Sequence, residues 1–290
     1  MQRIALGIML AIAFTATGTM SWAADAQPLT ELQVEKVEEK IEKGKETKEL
    51  AKTAQNPIGD LISLPLQNNF NFGLGPNNGT QWVLNIQPVI PVKLTDSLNL
   101  ITRTILPIVY QPEIVPGSGS AVGLGNMNAS FFFTPVPQSA FVWGAGPIFT
   151  FPTNTDDKLG ARQWGAGPSL VVVGMPGKWV LGFLVNNVWG FARHDNSNYI
   201  NAMTLQYFIN YNIAYGWYLT TAPIITSNWK TNNDNRWTVP IGMGVGRVFN
   251  IGPQAVNAQV HAYYNAIKPN VGPDWQFRFQ FQFLFPRKKG

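Results

Sequence analysis

The stretch from Trp275 to Phe285 reads W-Q-F-R-F-Q-F-Q-F-L-F and decides the fold of this chain. Side chains on a strand alternate between its two faces with period two. Trp275, Phe277, Phe279, Phe281, Phe283 and Phe285 therefore share one face, and Gln276, Arg278, Gln280 and Gln282 share the other. A soluble sheet also buries one apolar face, but it rarely places six aromatics from one strand there. A wall that meets lipid outside and water inside requires this pattern. Strands span a bilayer only as a closed barrel, because every backbone polar group must be satisfied within the protein.

Working back from that stretch, the chain carries twelve strand-like runs punctuated by Gly, Pro, Asn and Asp. They fall near 66–74, 80–92, 97–110, 121–134, 140–151, 162–174, 178–192, 200–214, 217–228, 236–249, 255–266 and 274–285. In the second, Trp82, Leu84, Ile86 and Ile90 oppose Gln81, Asn85 and Gln87. In the eighth, Met203, Leu205, Tyr207, Ile209, Tyr211 and Ile213 oppose Thr204, Gln206, Asn210 and Asn212. In the eleventh, Val256, Ala258, Val260, Ala262 and Tyr264 oppose Asn257, Gln259, His261 and Asn265. An even count suits a single-chain bacterial barrel. The odd-to-even connections, among them 112–120, 153–161, 194–198 and 228–235, are long and polar. The even-to-odd connections, such as 95–97, 175–177 and 215–216, are short. Long loops outside and short turns inside is the asymmetry of an outer-membrane barrel. The expected fold is thus all-β, a transmembrane antiparallel up-and-down barrel of about twelve strands over residues 66–285.

The ends and the composition agree. Arg3, the apolar run Ile4 to Phe14 and the small residues after it read as a secretory signal over 1–24, with cleavage expected after Ala23 or Ala26. No later run approaches the ~18 apolar residues of a spanning helix. Charged residues make up 13% of the chain, against about 25% in an average soluble domain. Cysteine is absent, which excludes disulfides, thiolate metal sites and a cysteine nucleophile. The net charge of +5 comes without any Lys/Arg run interleaved with aromatics, so nucleic acid is not expected as a partner. The expected location is the outer membrane of a Gram-negative bacterium. The expected partners there are membrane lipid and lipopolysaccharide, the outer-membrane assembly machinery and a small-molecule solute.

Residues 25–55 hold eight acids and six lysines and read as a charged periplasmic helix. Thr30 and Gln33 form a capping box at its start, and Val34, Val37 and Ile41 lie on one stripe. The stripe serves either a solvated helix or a short coiled coil, which would make the protein a homo-oligomer. Asn56-Pro57 reads as a second helix start over 56–65. Ile58, Leu61, Ile62 and Leu64 give that segment an apolar side, so it is expected to plug the barrel mouth or to lie at the membrane surface. Ile58, Asp60, Leu61 and Ile62 are the candidate gate residues, with Asp60 placed to meet a lumenal arginine such as Arg103. Residues 286–290 form a basic tail.

Residues 51–75 (A-K-T-A-Q-N-P-I-G-D-L-I-S-L-P-L-Q-N-N-F-N-F-G-L-G), the G-L-G-N-M-N-A-S stretch from Gly123 and the aromatic last strand carry a family likeness. They resemble exported outer-membrane transporter-type proteins grouped with the MetA-pathway phenol-degradation family, some of which bear the label neuromedin U. The likeness covers roughly residues 51–285. It implies a barrel that takes up small apolar or aromatic compounds. In barrels of this kind the chain ends on an aromatic, whereas here Phe285 is followed by Pro-Arg-Lys-Lys-Gly.

Catalytic signals are absent. The two histidines, His194 beside Asp195 and His261, are far apart in sequence, and neither H-E-x-x-H nor G-x-S-x-G occurs. Barrel phospholipases carry a Ser/His pair on the outer wall, but His261 takes inward parity and position 263 is Tyr. The Gly-rich runs at 117–125 and 242–246 precede no helix, so they read as packing or bending features rather than phosphate loops. No enzyme activity, cofactor or metal is expected. Parity instead assigns lumen-lining residues: Asn85 and Gln87 in the second run, Asn99 and Arg103 in the third, Gln206 and Asn210 in the eighth. Gln259 and His261 in the eleventh and Arg278 and Gln280 in the twelfth complete the set. Arg103 and Arg278 would make a mildly basic constriction. Two functions remain open from sequence: a channel for passive uptake of small, apolar or aromatic molecules, or a structural or surface-interaction barrel whose lumen its own side chains fill.

Overall fold

The structure is a computed structural model that describes residues 44–136, 141–193 and 199–286. The signal segment, the Thr30 capping box, the stripe through Ile41, His194 with Asp195 and most of the basic tail lie outside the described residues.

Fifteen strand segments form twelve antiparallel strands around one closed sheet. In chain order they are β1 (Ile62–Leu74), β2 (Gly79–Ile86, resumed as Val89–Lys93), β3 (Leu98–Gln111) and β4 (Ala121–Leu124, resumed as Met127–Pro135). There follow β5 (Phe141–Phe151), β6 (Gln163–Gly174), β7 (Trp179–Arg193) and β8 (Asn201–Asn212). The last are β9 (Trp217–Thr221, resumed as Ile224–Asn228), β10 (Trp237–Ile251), β11 (Gln254–Ile267) and β12 (Trp275–Phe285). The aromatic stretch closes the barrel: Ile62 of β1 pairs with Phe285 of β12, and Phe72 pairs with Trp275. Closure leaves no strand edge, so every strand finds ladder partners on both sides.

The faces follow the sequence parity. Phe277 and Phe279 are each 39% exposed on the outer wall, while Arg278 between them is 2% exposed. Trp and Tyr gather at both ends of the wall, where an amphipathic ring suits the lipid headgroups. Trp143, Trp179 and Trp217 stand exposed at one end, and Tyr110, Trp164, Trp189, Tyr264 and Trp275 at the other. Asn68 is a polar residue on the lipid side, and the Trp82 indole Nε1 donates to its Oδ1 at 3.1 Å. Arg247, also outward, lies 5.1 Å from the Trp217 ring and 5.7 Å from that of Phe249. Its long stem can carry the charge to the interface.

Connections at one end are short, at residues 94–97, 175–178, 213–216 and 252–253. At the other they include 112–120, 152–162, 229–236 and 268–274. The short end is the periplasmic one for this class of barrel. Two of the three broken strands break at prolines, Pro88 in β2 and Pro223 in β9, because proline has no N–H for the ladder. The third breaks at Gly125–Asn126, where the loop 152–162 folds down. Thr153 Oγ1 there accepts from Met127 N and donates to Gly125 O.

The repeated W-G-A-G-P sequences at 143–147 and 164–168 lie side by side, with Pro147 opposite Pro168. The flanking ladders skip the pairs at these prolines, and the wall pinches. A Cβ built on Gly167 would lie 1.7 Å from the carbonyl oxygen of Asn187, and one on Gly146 would lie 1.9 Å from that of Phe131. Only glycine permits that approach. Gly167→Val is expected to cost about 1–3 kcal/mol, as overpacking does. Chemical unfolding of the barrel in lipid vesicles measures it, and an unchanged midpoint would show that the wall yields freely there.

The N-terminal segment departs from the sequence reading. One helix spans 44–55, and residues 57–60 form a turn rather than a second helix. β1 already begins at Ile62. The Asn56-Pro57 pair, read as a helix start, is a helix stop. Proline restricts the residue before it away from helical geometry. Asn56 Oδ1 then accepts from Ile58 N at 3.1 Å, which closes a turn that leads into the barrel wall.

Candidate functional site

The interior has two sides. On the walls of β2 to β8, near the periplasmic end, Val89, Ile101, Phe132, Val142, Val171, Val173, Val180, Leu184 and Phe208 form an apolar cluster. Ile58 from the N-terminal turn is fully buried within it. On the opposite wall Ala51 and Leu61 pack against Tyr218, Val248, Ala255 and Leu284, with Leu50 and Ala54 beside them. The helix and its turn therefore sit across the periplasmic mouth, anchored on both sides. A polar clamp fixes the helix end: Gln55 Nε2 donates to Asn212 Oδ1 at 2.9 Å, and Asn212 Nδ2 donates back to Gln55 Oε1 at 3.3 Å.

Of the four candidate gate residues, Ile58 and Leu61 are buried inside the mouth. Ile62 starts β1 and pairs with Phe285 on the outward parity. Asp60 is exposed, and the guanidinium of Arg103 reaches Gln87. The expected pairing of Asp60 with Arg103 is not formed among the described residues, where Arg103 donates to Gln87 instead.

Above the docked helix and turn, amide side chains make a continuous hydrogen-bonded ladder. Arg103 Nη2 donates to Gln87 Oε1 at 2.8 Å, Gln87 Nε2 to Gln67 Oε1 at 3.2 Å, and Gln67 Nε2 to Asn69 Oδ1 at 3.1 Å. Arg278 Nε donates to the same Asn69 oxygen at 2.9 Å, so the two arginines are joined through three neutral amides. Arg278 also donates from Nη1 to the Ala222 carbonyl at 2.9 Å and from Nη2 to Gln276 Oε1 at 3.3 Å. From Gln276 the ladder continues through Asn71 and Gln81 to Gln111, toward the outer mouth. Buried polar groups are tolerated when paired in this way.

Between the docked helix and turn and the ladder lies a cavity of about 130 Å³. Seven of the ten sequence-derived candidates border it: Gln87, Arg103, Gln206, Asn210, Gln259, Arg278 and Gln280. Asn85 faces inward opposite Gln67, Asn99 is buried opposite Thr134, and His261 is 1% exposed, but these three lie off the cavity. The His261 ring stacks on Tyr263 at 5.5 Å, with Nε2 3.4 Å from Thr220 Oγ1. Among the described residues no group of three His, Asp or Glu could hold a metal ion.

Parity reasoning missed several lumenal side chains. Gln67 and Asn69 were readable in principle, since they alternate with Leu66 and Phe70, but Asn68 blurs the pattern. Tyr218 and Tyr263 carry no sequence signal that separates them from the outward Tyr207 and Tyr264. Tyr218 fits because Gly246 faces it, where a Cβ would lie 2.2 Å from the ring. Its hydroxyl donates to Asn257 Oδ1 at 2.6 Å, and Asn257 Nδ2 in turn donates to Gln282 Oε1 at 3.1 Å. This is what the Gly-rich run at 242–246 does in part: it makes room for an inward tyrosine.

No family profile matches the chain, and no curated protein matches it by sequence. Solved structures do. An outer-membrane channel from Pseudomonas putida F1 superposes with a TM-score of 0.59 at 17% identity, over 78% of this chain and 94% of that one. The NanC porin gives 0.49 at 8% identity, over 77% and 100% of the two chains. The CymD monoaromatic hydrocarbon channel gives 0.45 at 10% identity, over 83% and 92%. At such identities the likeness is one of fold, and the fold of the first is that of an outer-membrane channel. The closed barrel with its aromatic outer wall is the architecture of the Gram-negative outer membrane.

Proposed function

We propose that this barrel is a channel for passive movement of small molecules across the outer membrane, resting closed under its N-terminal segment. The cavity of about 130 Å³ directly above the plug is the observation that carries this reading. A barrel that serves only as a wall has no need of a polar cavity sealed by a separate segment. The solutes we assign are small and aromatic or partly apolar. The lumen supports that choice because it is two-sided: Leu184 and Phe208 border the cavity on one wall, and Gln259, Arg278 and Gln280 on the other.

A structural barrel is the competing reading, and the amide ladder that runs from Arg103 to Gln111 favours it by taking up space inside the lumen. Planar-bilayer recording separates the two. Discrete conductance steps from the folded protein, or from the protein without its plug, are expected of a channel. Silence from both, in samples shown to be folded by heat-modifiable migration in SDS, would leave the structural role.

A further inference from the structure

We propose that the cavity beneath the ladder is a binding site for a small aromatic monocarboxylate of benzoate size, with the Arg103 guanidinium as its anchor. As the solute class of the proposed channel this rests on that reading; as a binding site it stands without any flux.

Charge comes first. Arg103 and Arg278 both border the cavity, and among the described residues none of its lining groups is acidic. The imbalance is general: Asp60, Asp96, Glu113, Asp156, Asp157 and Asp274 lie in turns and loops, Asp234 in a 3-10 turn and Glu46 and Glu49 on the helix, and among the described residues no strand carries an acid. Two guanidiniums thus sit inside a low-dielectric wall with only neutral partners. Buried charges are normally paired, because amides alone leave the desolvation of the ion incompletely offset. An anion in the cavity would complete the pairing.

Donor geometry decides which arginine holds it. Arg278 is fixed by Asn69, the Ala222 carbonyl and Gln276, and its guanidinium lies 5.2 Å from the Tyr263 ring. Arg103 has one acceptor among the described residues, Gln87. A guanidinium has five N–H groups, so most of the Arg103 fork remains for a ligand. One free fork receives one planar carboxylate in bidentate fashion. A phosphate can take the same fork, but it offers no apolar surface to Leu184 and Phe208.

Size and the far wall give the rest. A cavity of about 150 Å³ holds benzene, so the 130 Å³ here is of the order of one small ring and too small for two. Leu184, Phe208 and Val89 border the cavity and can take the ring's apolar surface. The carboxylate then points to Arg103, whose strand neighbour across β2 is Val89 itself.

Isothermal titration of the full-length protein in detergent tests this with sodium benzoate, its neutral analogue benzamide, and inorganic phosphate. Benzoate is expected to bind saturably at one site. Benzamide should bind about tenfold more weakly or worse, since it forfeits a charge-assisted pair. Phosphate, which can use the fork but not the apolar wall, should compete only weakly. Arg103→Met should weaken benzoate to the level of benzamide while heat-modifiable migration stays intact. Equal binding of benzoate and benzamide, binding of neither, or an unchanged Arg103→Met would overturn the site. If Arg103→Met fails to fold, the benzoate and benzamide comparison on the native protein decides alone. A silent barrel that binds benzoate keeps the site and loses the channel, and a conducting barrel that ignores benzoate does the reverse.

Discussion

A barrel lacking residues 27–60 is expected to fold and to conduct several-fold more than the full chain. The deletion stops short of Ile62, where β1 begins, so all twelve strands and the β1–β12 seam are retained. What it removes is the proposed seal. Ile58 is completely buried in the apolar cluster of the periplasmic half, and Ala51 is 1% exposed against Tyr218, Val248 and Leu284. The segment has little stability of its own, because an isolated helix shorter than about 12–15 residues is marginal in water. It holds its place by docking, and a docked segment of this size is the sort of element that opens locally at low cost. Gln55→Ala should act in the same direction and more weakly, since it breaks the paired amide clamp to Asn212 while the apolar contacts remain. Single-channel recording on both variants, beside a heat-modifiability check of folding, reads the result. Unchanged conductance from an intact deleted barrel would show that the segment closes nothing.

The second large effect is on stability. Phe279→Arg is expected to cost roughly 2–4 kcal/mol, the range for a cation at the bilayer midplane on the lipid face of a barrel. Phe279 stands near the middle of β12, paired with Asn68 on one side and Val260 on the other, and is 39% exposed on the outer wall. Phe279→Leu keeps the site apolar and should cost well under half as much, although it gives up ring contacts. Unfolding by guanidinium chloride in lipid vesicles compares them. Similar costs for the two substitutions would place Phe279 away from lipid and put the whole register in error, because a one-residue slip turns every side chain to the other face.

The fold was legible in the sequence because it rests on a period of two and on end effects, both of which are local. The twelve runs, the inward parity of Arg103, Gln206, Gln259 and Arg278, and the long-loop, short-turn asymmetry all follow from neighbours a few residues apart. The strand breaks at Pro88 and Pro223 are likewise local facts about a missing N–H. By contrast, residues 57–64 offered an apolar spacing that suits a helix or a turn running into a strand. Only the partner strand β12, paired with Ile62 onward, made it a strand. The docking of the N-terminal segment was equally unreadable. Gln55 and Asn212 meet across 157 positions, and Ile58 joins an apolar cluster drawn from seven different strands. The ladder from Arg103 to Arg278 exists because closure brings β1 beside β12, so that Asn69 accepts from a side chain 209 positions away. Sequence thus determined which face each strand turns to water. The tertiary structure decided what those faces enclose, because the contents of a lumen depend on register and closure, which join residues that no local pattern connects.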